Sequence, residues 1–284
     1  MAIFGGRDNN LSAFKDALVV VLPVPYGKTV TYRKGTEKGP AAILDASDNM
    51  ELFDEELNRE VYTIGINTVS PLKVADLKPE EVAGLVRNSV SDVLKEQKFP
   101  VVIGGEHSVT IGAVKAAKDR YKDLSVLYFD AHCDLKDSYD GSMYNHACVA
   151  RRLSEIAPLI VSGTRSLSKE ESSFLKSKDI KNISMLDILA DPNWAEKVIK
   201  YLSKNIYISI DLDVFDPSIM PSVGTPEPGG IKWYDFLKAI RSIISSKNVV
   251  GFDVTELCPI KDMIAPDFTA ARLIYKIIGY KFFK

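Results

Sequence analysis

Apolar runs of strand length alternate along this chain with longer amphipathic runs that have the periodicity of a helix. The strand-length runs lack clean period-two alternation and are rich in valine, isoleucine and leucine, which is typical of strands buried on both faces. We predict strands at ALVVVLPV (17–24), VYTIGINTV (61–69), FPVVIGG (99–105), LSVLYFDAH (124–132), PLIVSGTRS (158–166), NISML (182–186), NIYISIDLDV (205–214) and NVVGFDVTEL (248–257).

The longer runs predict helices at PEEVAGLVRNSVSDVLKEQ (79–97), SVTIGAVKAAKDRY (108–121), NWAEKVIKYLS (193–203), KWYDFLKAIRSIISSK (232–247) and DFTAARLIYKIIGYKFF (267–283). Alternating strands and helices indicate a mostly parallel sheet with helices on both faces, which is a three-layer α/β/α fold. A (β/α)8 barrel remains an alternative on element count. No repeat, low-complexity tract or flexible linker divides the chain, so we predict that residues 1–284 form one domain.

The composition excludes several classes of partner. Hydrophobic residues make up 46% of the chain and charged residues 26%, and the formal net charge of −2 offers no basic surface for nucleic acid. The run ALVVVLPV is too short to span a membrane and no signal-peptide pattern is present, so we expect no membrane association. Cys133, Cys148 and Cys258 are too few and scattered for a disulfide framework, which favours a cytoplasmic location.

Four of the predicted strands run into segments that carry acidic residues or histidine. These segments are Gly104–His107, Asp130–Asp134, Asp211–Asp213 and Asp253–Glu256. Because the carboxyl ends of parallel strands meet at one edge of a sheet, we expect the four segments to lie together. A lone aspartate after a strand is usually a turn or a helix cap, but their joint occurrence favours a functional site.

The side chains in these segments are of the types that bind hard divalent cations. Side chains at positions i and i+2 of an extended segment point to the same side, so the DxHxD segment 130–134 and the DxD segment 211–213 can each converge. Together with His107 they supply four carboxylates and two imidazoles, a set that suits Mn²⁺ better than structural Zn²⁺. Six side chains suit two ions. Such a pair, about 3.5–4 Å apart, can hold a bridging water and lower its pKa from about 15.7 towards neutrality, which makes a hydroxide nucleophile.

Several motifs in the chain resemble the ureohydrolases, the arginase and agmatinase family, and agmatinases most closely. They are GGEHS (104–108), DAHCD (130–134), SIDLDVFDP (209–217), GTPEPGG (224–230) and DVTE (253–256). The likeness extends from VPYGKTVTYRKGTEKGPAAI (24–43) to the final helix, and the motifs stand in the family's order. The resemblance implies an arginase-like fold, the hydrolysis of a guanidino group and a homo-oligomer, because the family forms trimers and hexamers.

The resemblance also implies a dinuclear manganese centre with two ions in each subunit. Its ligands would be His107, Asp130, His132, Asp134, Asp211 and Asp213. One ion would bind His107 and Asp134. The other would bind His132 and Asp213, and the two remaining aspartates would bridge the ions or be shared.

Three further roles follow from the resemblance. Glu256, in the D-x-x-E position, would pair with the substrate guanidinium, which can donate two parallel hydrogen bonds to a carboxylate. His146 would shuttle the proton that the leaving amine needs. Asp134 would accept the proton of the attacking hydroxide and pass it to that amine, and the products would be urea and the parent amine.

The loop between the DAHCD motif and His146 bears on the choice of substrate. It reads LKDSYDGSMYN (135–145) and does not match the arginase segment that holds the α-carboxylate and α-amine. Asp137 and Asp140 would repel a carboxylate and attract a distal ammonium, although solvated loop acids are an equal interpretation. We therefore expect agmatine as the substrate, which would give putrescine and urea in polyamine biosynthesis.

Other interpretations remain open at this point. The same chemistry could act on aminopropylagmatine, arginine, guanidinobutyrate or formiminoglutamate. Aminopropylagmatine satisfies the same argument as agmatine, because it is cationic and lacks a carboxylate. A metal-binding regulatory subunit without turnover is the non-enzymatic alternative. Its mark would be a missing ligand, and all six predicted ligands are present in the sequence.

Overall fold

The computed structural model describes residues 2–178 and 180–283. Its strands are β1 (Val19–Val24), β2 (Phe53–Asp54), β3 (Arg59–Glu60), β4 (Ile66–Thr68), β5 (Phe99–Gly104), β6 (Leu124–Phe129), β7 (Leu159–Ser162), β8 (Lys181–Ile183), β9 (Asn205–Asp211) and β10 (Asn248–Thr255). Its α-helices are α1 (Gly39–Ser47), α2 (Pro79–Lys95), α3 (Thr110–Arg120), α4 (Val149–Ile156), α5 (Lys169–Lys178), α6 (Met185–Ala190), α7 (Trp194–Tyr201), α8 (Trp233–Ser246) and α9 (Ala265–Phe282). Short 3₁₀ helices lie at Gly6–Asp8, Thr36–Lys38, Val61–Ile64, His107–Val109, His146–Cys148 and Leu212–Val214.

The main sheet is open and parallel. Within the described residues it has eight strands in the order β4-β1-β5-β10-β9-β6-β7-β8, and each pairing between neighbours is parallel. Because β4 and β8 are free edges, the sheet does not close on itself, and the barrel alternative is wrong. Strands β2 and β3 form a separate antiparallel hairpin.

Alternate residues of the buried strands face two different hydrophobic cores. In β1, Val19 and Val21 belong to the core that includes the apolar faces of α1, α7, α8 and α9. Val20 and Leu22 belong to the core formed with α2, α3 and α4. The sheet is therefore covered on both sides, and the predicted three-layer α/β/α fold is confirmed. Because neither face of the sheet meets water, polar and apolar residues do not alternate along these strands.

Two predicted strands differ in the structure. The run NISML contributes only Asn182 and Ile183 to β8, because Ser184 is the N-cap of α6. The Ser184 hydroxyl accepts a hydrogen bond from the Asp187 backbone N–H, and the Asp187 carboxylate accepts one from the Ser184 N–H. This reciprocal capping box stabilises the start of a helix. The run VYTIGINTV is divided at Gly65, whose φ of 78° separates a 3₁₀ helix from β4.

The four strands that carry the candidate site are neighbours at the centre of the sheet, in the order β5-β10-β9-β6. Thr255 pairs with Asp211, and Phe129 pairs with Ile210, so the ends of these strands are level with one another. The predicted convergence of the four segments at one edge is a direct result of this register. Across the described residues, none of the helices combines the length and apolar character needed to cross a membrane.

Candidate metal centre

Each central strand ends in a tight turn that turns side chains towards the carboxyl edge of the sheet. The turn after β5 needs a glycine at position 105, because a Cβ there would lie 2.1 Å from the carbonyl oxygen of Tyr26. Asp134 and Glu256 have φ angles of 50° and 67°, a left-handed backbone that non-glycine residues seldom adopt. Strained backbone of this kind occurs preferentially at functional sites.

Two groups of potential ligand atoms share one aspartate. In the first group, His107 Nδ1 lies 3.2 Å from Asp130 Oδ2 and 3.1 Å from Asp211 Oδ2. In the second, His132 Nδ1 lies 2.8 Å from Asp213 Oδ2 and 3.5 Å from Asp130 Oδ1. Within each group the ligand atoms lie within 4.8 Å of one another, close enough to surround a single ion. Asp130 thus offers one carboxylate oxygen to each group.

Asp134 lies beside the first group. Its Oδ2 is 3.8 Å from His107 Nδ1 and accepts a hydrogen bond of 2.7 Å from the hydroxyl of Tyr128. Tyr128 also stacks on the His107 imidazole, with ring centroids 4.5 Å apart. We call these six side chains, contributed by His107, Asp130, His132, Asp134, Asp211 and Asp213, the aspartate–histidine cluster.

Burial makes this cluster unfavourable for four ionised carboxylates. It raises the pKa of Asp134 to about 8, and the charge of Asp130 adds to the effect. The pKa values of Asp211 and Asp213 are raised by burial and by the neighbouring aspartates. Burial would also raise the pKa of Asp130, but the two neighbouring histidines of the cluster lower it overall.

The histidines respond in the opposite sense. Burial would lower the pKa of His107, but its contacts with Asp130 and Asp211 raise it well above the ordinary value. The pKa of His132 is raised in the same way by Asp213 and Asp130, against the effect of burial. In both cases the neighbouring aspartates favour a positive charge close to Nδ1 of the imidazole.

The donor set fits two divalent cations. Asp130 Oδ2 is buried and has no hydrogen-bond partner among the described residues, so a carboxylate oxygen in the middle of the cluster has free coordinating capacity. The donors are carboxylate oxygens with one imidazole in each group, which suits hard ions such as Mn²⁺. The position of Asp130 in both groups is the arrangement expected for a bridging carboxylate.

His146 and Glu256 lie next to the cluster and contact each other. His146 Nδ1 is 3.6 Å from Glu256 Oε1. Although burial would lower the pKa of His146, the contact with Glu256 raises it to about 9. Glu256 Oε1 also accepts a hydrogen bond of 2.7 Å from the backbone N–H of His107. The carboxylate of Glu256 is therefore held between the first group and the imidazole of His146.

A cavity of about 210 Å³ opens above these side chains. Six predicted site residues line it: His132, Asp134, His146, Asp211, Asp213 and Glu256. We call the other lining residues, among them Thr31, Lys136, Tyr139, Leu167, Glu171 and Thr225, its outer wall. The structure thus brings eight predicted site residues to this cavity or, for His107 and Asp130, to the buried layer directly behind it.

Asp137 and Asp140 do not lie among the residues that line the cavity. Asp137 Oδ1 is 2.7 Å from Arg152 Nη2 and 3.5 Å from Arg151 Nη2, so its charge is paired elsewhere. Asp140 lies in the exposed turn in which Tyr139 pairs with Ser142. Their placement gives no support to the predicted contact with a distal ammonium. The cavity instead presents the buried carboxylate of Glu171, which the sequence did not single out.

Ser209 and Asp253 also support the site and were not predicted. His107 Nε2 lies 2.8 Å from Ser209 Oγ, and this hydroxyl donates a hydrogen bond of 2.7 Å to Asp253 Oδ1. Both residues are fully buried. They orient the ring of His107 so that Nδ1 faces the cluster, which is how outer partners commonly orient metal-binding imidazoles. In the sequence, the only indication of this role was that Ser209 and Asp253 lie within the strand-end motifs SIDLD and DVTE.

Arg165 is a further unpredicted residue of the site. Its Nη2 donates to the backbone carbonyl oxygens of Asp213 and Glu227, at 2.7 and 2.8 Å, and its Nε donates to that of Pro228 at 3.0 Å. One side chain thereby joins the loop after β7 to the turn after β9 and to the GTPEPGG loop. Glu227 of that loop lies with its Oε1 3.7 Å from His132 Nε2.

Comparisons with known proteins agree with this geometry. The model of the arginase family matches residues 17–279. An N(1)-aminopropylagmatine ureohydrolase of Synechocystis sp. is 38% identical over 278 residues, which are 95% of this chain and 91% of that protein. One of the same name from Thermus thermophilus is 36% identical over 280 residues, 98% of this chain and 94% of that protein.

Solved structures give the same result. The crystal structure of the agmatine ureohydrolase of Thermoplasma volcanium has a TM-score of 0.90 and 31% sequence identity. The match covers 99% of this chain and 94% of that one. The family model and these relatives span nearly the whole sequence, including each strand that carries the aspartate–histidine cluster. The chain therefore belongs to the arginase family and is an enzyme of the ureohydrolase type.

Proposed function

We propose that the protein is a manganese-dependent ureohydrolase whose substrate is N1-aminopropylagmatine, with agmatine as the second candidate. The observation that carries the metal-dependent reaction is the pair of ligand groups that share Asp130 at the base of the cavity. The substrate rests on the two relatives named for aminopropylagmatine, at 38 and 36% identity. Agmatine, which we expected from the sequence, is supported by the 31% identical agmatine ureohydrolase structure.

In this proposal the two ligand groups hold one cation each. His107, Asp130 and Asp211 would hold the first, and Asp130, His132 and Asp213 would hold the second. Asp134 lies beside the first group, 3.8 Å from His107 Nδ1, where it can complete the coordination. When bound, the two ions would supply an acidified water molecule as the nucleophile for attack on the guanidinium carbon.

The chain's own residues orient the substrate and move protons. The Glu256 carboxylate would accept hydrogen bonds from the planar guanidinium, which it can do in a bidentate manner. His146 has a pKa raised to about 9 and is therefore protonated at neutral pH. Its Nδ1 faces Glu256, while its buried Nε2 has no hydrogen-bond partner in the described part of the chain. Nε2 is the atom from which the departing amine would take a proton.

The distal end of the substrate would lie along the outer wall of the cavity. Glu171 is the carboxylate there. Its two oxygens accept hydrogen bonds from the backbone N–H groups of Leu135 and Ser168, at 3.0 and 2.7 Å, which fix it in place. A held carboxylate attracts an ammonium and repels the α-carboxylate of arginine. Glu171 therefore supports a cationic guanidino compound without a carboxylate, although Lys136 of the same wall has the opposite charge.

Parallel assays of urea release would test the proposal. The purified protein, loaded with Mn²⁺, would be given aminopropylagmatine, agmatine, arginine, guanidinobutyrate and formiminoglutamate at equal concentrations. Hydrolysis of formiminoglutamate would give formamide in place of urea, so its turnover would be followed by the release of glutamate. We expect the highest kcat/KM for aminopropylagmatine, a lower value for agmatine and little release from the three compounds that carry a carboxylate. Faster turnover of arginine would refute the substrate class, and no urea from any compound would refute the enzymatic proposal. A sample treated with a chelator and reloaded with Mn²⁺ or Mg²⁺ separates the metal requirement from the substrate preference.

The trimeric or hexameric assembly and the cytoplasmic location stay predictions from the sequence and its family resemblance. Light scattering during size-exclusion chromatography would measure the mass of the assembly directly. A monomer that still released urea would contradict the predicted homo-oligomer without affecting the proposed reaction.

A further inference from the structure

We propose that Glu106 and Thr29 are positioning residues for His146, so that the turn which carries His107 also fixes the proton-donating imidazole. This inference rests on the proposed function, because it assigns these residues to the group that protonates the leaving amine. Neither residue belongs to the two ligand groups. Their effect would act through the backbone of His146.

Glu106 is a fully buried carboxylate with three hydrogen-bond donors around it. Its Oε2 accepts from the backbone N–H of Thr29, and its Oε1 accepts from the hydroxyls of Thr29 and Ser108, each at 2.6 Å. A buried carboxylate is costly unless it is hydrogen-bonded in this way, and bonds to an ionised acceptor are the stronger ones. Two of the three donors come from Thr29, so the main structural effect of Glu106 is to hold that residue.

Because the Thr29 hydroxyl donates to Glu106, the same hydroxyl is an acceptor for the backbone N–H of His146. A hydroxyl has one proton, and in Thr29 it points at Glu106. The lone pairs of the same oxygen are left to accept the backbone N–H of His146, at 2.9 Å. Asn145 strengthens this contact, because its side-chain amide donates to the Thr29 carbonyl oxygen at 3.4 Å. The loop after β1 thus holds the start of the His146–Cys148 turn.

The same turn after β5 is also linked to the ring of His146, through Glu256. The Glu256 backbone N–H donates to the Gly105 carbonyl oxygen at 2.7 Å, and Glu256 Oε1 accepts from the His107 N–H. That oxygen is also the one near His146 Nδ1. The backbone of His146 is therefore held through Glu106 and Thr29, while its ring is held through Glu256. Loss of the first link frees the backbone of His146, and the contact with Glu256 alone then has to place the imidazole.

The decisive variants change Thr29, because Glu106→Gln changes a buried charge and therefore also tests whether the protein folds. Thr29→Val removes the hydroxyl at constant shape, and Thr29→Ser keeps it. We expect Thr29→Val to lower kcat for urea release roughly 10- to 100-fold with little change in KM, since small misplacements of a reacting group have effects of this size. Thr29→Ser should retain activity within about twofold. Thr63→Val is the matched control, because the Thr63 hydroxyl is exposed and bonds only the Glu60 carbonyl oxygen among the described contacts.

A double-mutant cycle separates a positioning role from a general structural one. If Thr29 acts through His146, Thr29→Val should cause no further loss of kcat in a His146→Ala background. Equal fold losses in both backgrounds would overturn the inference. Manganese content measured on each variant should stay at the wild-type value, and its loss in Thr29→Val would show that the metal site, not His146, depends on Thr29.

Amide hydrogen exchange supplies a readout that needs no catalysis. The His146 amide should exchange slowly in the wild type and in Thr29→Ser, and at least about tenfold faster in Thr29→Val, because its acceptor is gone. Unchanged protection in Thr29→Val would refute the contact. If the wild type releases no urea but the amide behaves as expected, the proposed function fails while the Glu106–Thr29–His146 link stands.

Discussion

Two clusters in this protein, each with at least one buried aspartate, differ in the source of their positive charge. In the first, which we call the lysine cluster, Lys276 of α9 lies 3.0 Å from Asp54 Oδ2 and Glu55 Oε1 and 3.4 Å from Glu56 Oε2. Asp54 is fully buried and Lys276 is 3% exposed. Burial would lower the pKa of Lys276, but these carboxylates raise it. The chain supplies its own cation here, and the cluster ties α9 to the β2–β3 hairpin.

The aspartate–histidine cluster has a different balance of negative and positive charge. The ion-pair partners of Asp130, Asp211 and Asp213 in the structure are imidazoles, which carry charge only when protonated. Burial and mutual repulsion raise the pKa values of Asp211 and Asp213. The cluster thus favours the binding of additional cations, and the cavity above it makes the cluster accessible to them.

The comparison shows that buried acidic residues alone do not mark a functional site. Both clusters place at least one buried aspartate beside basic groups. What separates them is whether a long cationic side chain of the same protein reaches the carboxylates. Where it does, the cluster is structural, and where it does not and a cavity is present, the cluster is suited to bind external cations. Two substitutions would test this distinction, and a third concerns Asp267, a partly buried acid outside both clusters.

Asp211→Asn should have the largest effect, and the effect should be on function. We expect metal-dependent urea release to fall at least about 100-fold, because even partners that only orient metal ligands contribute about 10- to 100-fold. Stability of the metal-free protein should change little, since burial raises the pKa of Asp211 and asparagine imitates its protonated form. Metal content, urea release and denaturant unfolding in a chelator measure the three quantities.

Asp235→Asn, on the exposed first turn of α8, is the matched control for the same chemical change. It should leave metal content and urea release at their wild-type values and lower the free energy of unfolding by no more than about 1 kcal/mol, because it removes a carboxylate from a helix N-terminus. Wild-type metal content and turnover in Asp211→Asn would show that this aspartate is not a ligand, and would break the comparison on its functional side.

Lys276→Met should have the opposite effect to Asp211→Asn: it should lower stability and leave function unchanged. Removing the cation leaves the buried Asp54 carboxylate uncompensated, so the free energy of unfolding should fall by about 3–5 kcal/mol. Metal content and urea release per folded molecule should be unchanged, because the lysine cluster lies apart from the residues that line the cavity. Urea denaturation followed by circular dichroism measures the loss. Lys238→Met, on an exposed position of α8, should shift stability by no more than about 0.5 kcal/mol. Equal stabilities of the two lysine variants would refute the structural role of the cluster.

Asp267 gives the smallest effect and a pH dependence. It lies in the first turn of α9, where burial and the nearby Asp45 raise its pKa to about 6. The folded protein therefore holds this proton more tightly than the unfolded chain, in which the pKa is near 3.9. The resulting stability is fully present below about pH 4 and is lost as the pH rises through about 6. The half-exposed position limits the effect to about 1 kcal/mol.

Asp267→Asn should thus match the wild type near pH 4 and exceed it in stability at pH 8. Thermal unfolding of both proteins at several pH values between 4 and 8 would measure the difference. A constant difference across this range, or a wild type that is more stable at pH 8, would contradict the raised pKa. The favourable interaction of a carboxylate with a helix N-terminus opposes the gain, which is why we expect it to be small.

The central strands were predictable because burial on both faces leaves a local signature. β5, β6, β9 and β10 each coincide with a continuous apolar run that ends in charged residues. Their order in the sheet was not evident from the sequence, yet the rule that parallel strands end at one edge was enough to predict convergence. Four α-helices of the described residues were not predicted from the sequence: α1, α4, α5 and α6. α5, with the sequence KEESSFLKSK, buries only Glu171 and Leu175 among its described side chains.

The role expected for Asp137 shows where local sequence gives no information. An acidic loop residue looks the same whether it faces a substrate or pairs with an arginine. The choice is made by Arg152, which lies on α4 and places its guanidinium 2.7 Å from the Asp137 carboxylate. Glu171, by contrast, comes from a hydrophilic helix that carried no signal, and only its packing beside the cavity gives it a place in the substrate argument.

The sequence by itself determined the fold class, the strands that carry the site and the chemical types of its side chains. Those properties depend on local hydrophobic patterns and on residue identity. Tertiary structure decided which charges meet. Glu106 reaches Thr29 across 77 residues, and Lys276 reaches Asp54 across 222. Whether a buried carboxylate is neutralised by a lysine, used to hold a loop or left available for a metal ion depends on such distant partners. The energy of a charge is set by everything that surrounds it in three dimensions.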